Sequence, residues 1–125
     1  MAKEKRSPTR LPACAPKPSL RERTLLSPTQ ATELTDLFKV LANDTRLRLL
    51  HALVREAEMR VTDLAEAVGM KPQAVSNQLQ RLSAQGIVGS RRNGNEILYR
   101  MVDPCVPMLL EQGLCLSEDA RRRKP

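Results

Sequence analysis

Aromatic side chains are almost absent: there is no tryptophan, one tyrosine (Tyr99) and one phenylalanine (Phe38) in 125 residues. That argues against an aromatic-rich β-sandwich and for an aliphatic core of packed helices. Histidine is equally scarce, with His51 alone. No orienting acid accompanies it, and there is no Gly-rich phosphate loop. Without a visible nucleophile–base pair, the chain is not expected to be an enzyme. No run approaches the ~18 apolar residues that cross a membrane. The basic N-terminus lacks the apolar segment of a secretory signal, so the expected address is cytoplasmic, with no membrane partner. Three cysteines are too few, and odd in number, for a disulfide scaffold. In a reducing compartment such thiols serve as metal ligands, as redox sensors or as small buried apolar groups.

What the chain does have is positive charge, +7 overall and unevenly placed. Residues 1–26 hold seven Lys/Arg against Glu4 and Glu22, among four prolines. This composition cannot bury a core and reads as a flexible basic arm. Residues 118–125, ending in "RRRKP", read as a basic tail. The stretch 27–117 between them is the expected folded domain. Within it, residues 71–100 carry Lys71, Arg81, Arg91, Arg92 and Arg100 against Glu96 alone. A basic patch in a neutral domain points to a polyanion partner, or to a solvated face.

The periodicity of 27–117 is helical and then changes. "SPTQATELTDLFKVLA" offers Ser27 as N-cap and Pro28 at the first helical position, with a stripe of Ala31, Leu34, Leu37/Phe38 and Leu41. "NDTRLRLLHALVRE" follows, capped by Asn43 or Asp44, with Leu47, Leu50 and Leu53/Val54 on one face. A short helix is expected over Thr62–Val68, ended by Gly69, and another over 71–85, stopped by Gly86. Around Asn93-Gly94 two extended runs signal a hairpin. Asp103-Pro104 then opens a last helix. The expected fold is mainly α with a β-hairpin, a winged helix-turn-helix.

In that arrangement the helix over 71–85 turns Val75, Leu79 and Leu82 inward. It presents Lys71, Gln73, Ser76, Asn77, Gln78 and Arg81 outward. These side chains hydrogen-bond base edges and phosphates in a major groove. The hairpin tip adds Arg91, Arg92, Asn93 and Asn95 for the adjacent backbone or minor groove. No acidic residue interrupts 71–95, so the patch is read as a surface for double-stranded DNA.

The stretches "LFKVLANDTRLRLLHALV", "VTDLAEAVGMKPQAVSNQLQRLSAQGIV" and "GNEILYRMVD" resemble the ArsR/SmtB family of dimeric bacterial metal-sensing repressors. The resemblance spans about residues 30–118. It implies a repressor that binds operator DNA as an apo-homodimer and releases it when a toxic metal binds. It further implies that 71–85 is the recognition helix and that the first and last helices form the dimer interface. No other protein partner is implied.

Many members carry a Cys-rich "ELCVCDL" segment before the recognition helix. This chain reads "EMRVTDL", with Arg60 and Thr62 at the cysteine positions, so that site is absent. Others use the last helix, with Asp-x-His followed by His-x-x-Glu. Here the outline is Asp103-x-Cys105 and Cys115-x-x-Glu118, with spacing one residue shorter. That difference turns Glu118 by about 100° around the helix. Cys105 and Cys115 lie ten positions apart, about 15 Å along a helix. Thiolates sharing one ion lie only ~4 Å apart. An unbroken helix therefore excludes an intrachain chelate or disulfide between them. Two antiparallel last helices across a twofold would instead pair Cys105 of one copy with Cys115 of the other.

Thiolates select soft or borderline ions. Two of them suit Hg(II), and "DPCVPMLLEQGLCLSED" looks like the last helix of actinobacterial mercury-resistance operon repressors. As(III), Cd(II) or Pb(II) would want a third thiolate, which Cys14 on the arm could supply. Zn(II) would need Asp103 and Glu118. The expectation is a mercury-responsive repressor. The alternative is a thiol redox or persulfide sensor using Cys105 and Cys115. Plain readings stand beside these: Cys115 between two leucines suits core packing, Asp103 suits an N-cap, Cys14 an idle arm residue, and His51 a helix-surface or core histidine.

Overall fold

The computed structural model describes residues 14–123. Residues 14–26 form no helix or strand beyond a turn in which Ser19 accepts from Glu22 and Arg23. Helix α1 (Pro28–Leu41) then starts as expected. The Ser27 hydroxyl accepts from the Gln30 amide at 3.1 Å, and the Gln30 side chain accepts from the Ser27 amide at 3.0 Å, a reciprocal capping box. Helix α2 (Asp44–Arg55) is capped by Asn43, whose side chain accepts from the Arg46 amide at 3.0 Å. A two-residue strand β1 (Met59–Arg60), not foreseen, leads directly into α3 (Val61–Val68). Gly69, at φ +70°, takes the left-handed conformation that ends α3 and turns the chain towards α4 (Pro72–Ala84).

Strands β2 (Val88–Asn93) and β3 (Glu96–Met101) form the hairpin, and β1 pairs on the other edge of β3, all antiparallel. The register pairs Asn93 with Glu96, so the turn is Gly94-Asn95, one residue later than the Asn93-Gly94 expected. Gly94, at φ +67°, occupies the strained first position. Two adjacent helices joined by a tight turn and followed by this hairpin make a winged helix-turn-helix.

The core lies where α2, α3, α4 and the sheet meet. Leu49, Leu50, Leu64, Val75, Leu79, Leu82, Ile87 and Val88 are fully buried, joined by Tyr99 and Met101 from β3. Each such aliphatic side chain contributes roughly 1.5–3 kcal/mol by leaving water. On α2, Leu50 and Leu53 of the expected stripe are buried, joined by Arg46 and Leu49, whereas Leu47 and Val54 at its edges are exposed. On α1 the predicted stripe is likewise open: only Leu41 is buried, while Leu34 and Phe38 face outward.

Helix α5 (Cys105–Arg123) continues past residue 117, so Arg121–Arg123 are helical where a tail was expected. Cations at a helix C-terminus oppose the helix dipole favourably, so the basic run extends the helix instead of ending it. Pro107 lies in the first turn, where its missing N–H costs nothing, and the helix is unbroken. α5 rests on α2 and buries only Val106.

Candidate functional site

Three surfaces gather the residues singled out above. The first is the outer face of α4, where Lys71, Gln73, Asn77 and Arg81 are exposed. Gln73 Nε2 donates to Asn77 Oδ1 at 3.2 Å, one turn on. Gln80, missed in the sequence reading, shares this face and donates to Ser76 Oγ at 3.4 Å. Ser76 and Gln78 sit at the margin, half-buried. Gln78 is not a free surface amide: its Oε1 accepts from Arg46 Nε at 2.7 Å.

The wing is the second surface. Arg92, Asn93 and Asn95 are exposed at its tip, as a nucleic-acid contact requires. Arg91 departs from expectation, because its guanidinium grips Glu58 in a fork, Nε to Oε2 at 2.7 Å and Nη2 to Oε1 at 2.8 Å. Those hydrogen bonds hold the Glu58 carboxyl below its ordinary value and raise Arg91 above its own. Arg60 similarly bridges Asp63 at 3.0 Å and Glu96 at 2.7 Å, which raises Arg60 and lowers Asp63. These ion pairs tie the hairpin to β1 and the start of α3. The sequence signal existed in Glu58 and Glu96, but only sheet pairing placed them opposite their arginines.

The third surface is sulfur. Cys14 of the arm lies against the start of α5, its sulfur in bonding contact with that of Cys105 and their Cα atoms 5.6 Å apart. Its Sγ is also 3.7 Å from Met108 Sδ. Cys14 therefore lies beside Cys105 and Met108. Asp103 Oδ1 accepts from the Cys105 amide at 2.8 Å, the contact of a helix-start cap, so the carboxylate anchors the turn bearing the thiol. Cys115 is exposed ten residues further along the unbroken helix, which rules out the core-packing reading and an intrachain Cys105–Cys115 bond. The carboxylate beside it is Asp119, Oδ2 at 3.9 Å from Sγ, while Glu118 is exposed on α5. Among the described residues of one chain, no three His, Cys, Asp or Glu side chains converge on a point.

Around the thiols the surface is apolar. On α5, Met108, Leu114 and Leu116 are 60, 58 and 63 % exposed, and on α1 Phe38 is 46 % exposed. No helix among the described residues is long and apolar enough to cross a membrane. Leu34 on α1 and Leu109 on α5 are exposed as well, so both outer helices carry apolar side chains that the single chain does not cover.

Comparison with known proteins adds four findings. A family model described as bacterial regulatory protein, arsR family, matches residues 43–90. The HTH-type transcriptional regulator NmtR of Mycobacterium tuberculosis is 40 % identical over 88 residues, 70 % of this chain and 72 % of that one. Among solved structures, the AntR antimony-specific transcriptional repressor is 62 % identical, with a TM-score of 0.74 over 89 % of this chain and all of that one. A structure described as the homodimeric winged helix-turn-helix DNA-binding domain of a Mycobacterium bovis protein is 28 % identical. Its TM-score is 0.66, over 82 % of this chain and 96 % of that one.

Proposed function

Because the chain belongs to the arsR family of bacterial regulatory proteins, we propose that it is a homodimeric operator-binding repressor released by a trivalent metalloid, Sb(III) or As(III). α1 and α5 supply the dimer interface, α4 enters the major groove, and the wing tip holds the flanking backbone. The observation that carries the choice of ion is the seating of Cys14 against Cys105. Once that sulfur pair is reduced, its two neighbouring thiols leave room for one more donor, and Cys115 of a second copy can approach in an antiparallel α5 pair. Three soft thiolates suit a pyramidal trivalent ion, whereas two suit linear Hg(II), the ion expected from Cys105 and Cys115 alone. The likeness to an antimony-specific repressor supports the same choice. Asp103 holds the first turn of α5, which carries Cys105. Asp103 and Glu118 are not needed as ligands.

Gathering the arm and two last helices around one ion changes how the α5 pair packs, and with it the separation of the two recognition helices. Half-sites one helical turn apart, about 34 Å, tolerate little change in that separation. By reciprocity, bound DNA weakens metalloid binding by the same factor.

The test is a mobility-shift titration of the full chain on the duplex upstream of its own coding sequence, with Sb(III), As(III), Hg(II), Cd(II), Zn(II) and peroxide in separate arms. Sb(III) and As(III) should release DNA at the lowest concentrations. Cys14→Ser should raise the Sb(III) needed while leaving the Hg(II) response in place. Cys105→Ser and Cys115→Ser should abolish both. Release by Hg(II) alone, or an unchanged Sb(III) response in Cys14→Ser, would sink the three-thiolate reading. Release by peroxide without metal would favour redox sensing.

A further inference from the structure

Arg46 is the charged side chain that the fold buries, at 9 % exposure among the described residues. Burying a guanidinium is unfavourable unless its donors are met, and here they are met by two different elements. Nη1 donates to the Val40 carbonyl at 2.8 Å, in the last turn of α1, and Nε donates to Gln78 Oε1 at 2.7 Å, on α4. Its own backbone is held by the Asn43 cap. Arg46 thus joins the end of α1 to the recognition helix through one rigid, planar group.

The chemistry of that contact restricts Gln78. Arginine only donates, so the amide facing it must present its oxygen, which leaves the NH₂ group as the part able to meet DNA. A free glutamine reads adenine with both ends, accepting from N6 and donating to N7. A glutamine whose oxygen is turned towards Arg46 offers DNA its NH₂ group, which donates to a purine N7, a guanine O6 or a thymine O4. We propose that Arg46 is a positioning residue for base preference: it holds Gln78 in a donor-presenting orientation at the edge of the recognition helix. This rests on the DNA-binding reading above and assigns one of its contacts. Gln73 and Asn77, by contrast, are exposed and hydrogen-bond only to each other among the described contacts, with no buried arginine fixing either amide.

The experiment is selection of bound duplexes from a random-sequence library by the full chain, with affinity measured on the duplex that the wild type selects. Wild-type protein should select a motif with a position restricted to hydrogen-bond-accepting base edges. Arg46→Lys keeps the charge but loses the fork. It should relax that position and weaken binding to the wild-type duplex by about tenfold, the scale of one charge-assisted hydrogen bond. Gln78→Glu keeps an acceptor for Arg46 and should melt no lower than wild type, yet it should lose the preference because a carboxylate cannot donate. A merely structural contact would leave that preference unmoved. Gln78→Met should make a further Arg46→Lys change nearly silent on DNA. If Arg46→Lys does not fold, the two Gln78 variants decide. An unchanged motif in Gln78→Glu, or additive losses in the double variant, overturns the proposal. Failure of the wild type to select any motif overturns the DNA-binding reading itself, and the proposal with it.

Discussion

The inner helices α2 to α4 and the outer helices α1 and α5 draw on the same aliphatic alphabet, at the same helical spacing. Leu49, Leu50, Leu64, Leu79 and Leu82 vanish into the core, whereas Leu34, Phe38, Met108, Leu114 and Leu116 stay in water. The 19 residues of α5 bury one side chain within the chain, Val106. Tertiary packing supplies most helix stability in proteins, and the proposed dimer would supply for α5 what the single chain does not. The wing repeats the contrast in charge: Arg91 is satisfied inside the chain by Glu58, while Arg92, one residue on, is exposed and has no ion-pair partner among the described residues. Groups satisfied internally hold the fold, and groups left open mark what it binds.

The contrast breaks most visibly in the core. Leu79→Ala should cost about 3 kcal/mol in a urea titration, because a fully buried leucine leaves both lost contacts and a cavity. Leu116→Asp, at a residue of the same type on α5, should leave the helical signal of the chain intact. It should still convert dimer to monomer in sedimentation and abolish DNA binding. If Leu116→Asp unfolds the chain as Leu79→Ala does, the division between inner and outer helices is wrong. A smaller effect separates the two arginines. Arg92→Ala should weaken DNA binding and lower the salt slope by about one counterion, while Arg91→Ala should leave that slope unchanged.

The smallest effect is acid sensitivity of the wing. Arg91 lowers the Glu58 carboxyl below its ordinary 4.5, so the contribution of the pair is complete above that value. It fades as pH falls through the folded value, because the folded state gives up its advantage only once the carboxylate is protonated. The melting advantage of wild type over Glu58→Gln, present at neutral pH, should therefore shrink below pH 4.5 and vanish further down. An advantage that persists in strong acid would show that the ion pair contributes nothing.

Much of the fold could be read from local signals. Ser27 with Gln30, Asn43, Pro28, Pro72 and Gly69 all act within a few residues of themselves, and each stands where a helix begins or ends. The thiols and the polar face of α4 were visible for the same reason. Legibility failed where two distant segments meet. Gln78 and Arg91 look like free surface groups until Arg46, 32 positions away, and Glu58, 33 positions away, are brought beside them. The turn slipped by one residue because hairpin register answers to cross-strand pairing as well as to the Asn-Gly signal.

By itself, the sequence determined where most helices begin, the change to a hairpin, the basic face and the presence of soft ligands, because each depends on short-range geometry and composition. Only the tertiary structure decided which leucines are core and which stay exposed, and that Arg91, not Arg92, pairs with Glu58. It also decided which cysteine accompanies Cys105: Cys14, 91 residues away, instead of Cys115 on the same helix. The physical reason is that a rigid helix holds Cys115 about 15 Å off, while an extended arm can fold back at little cost.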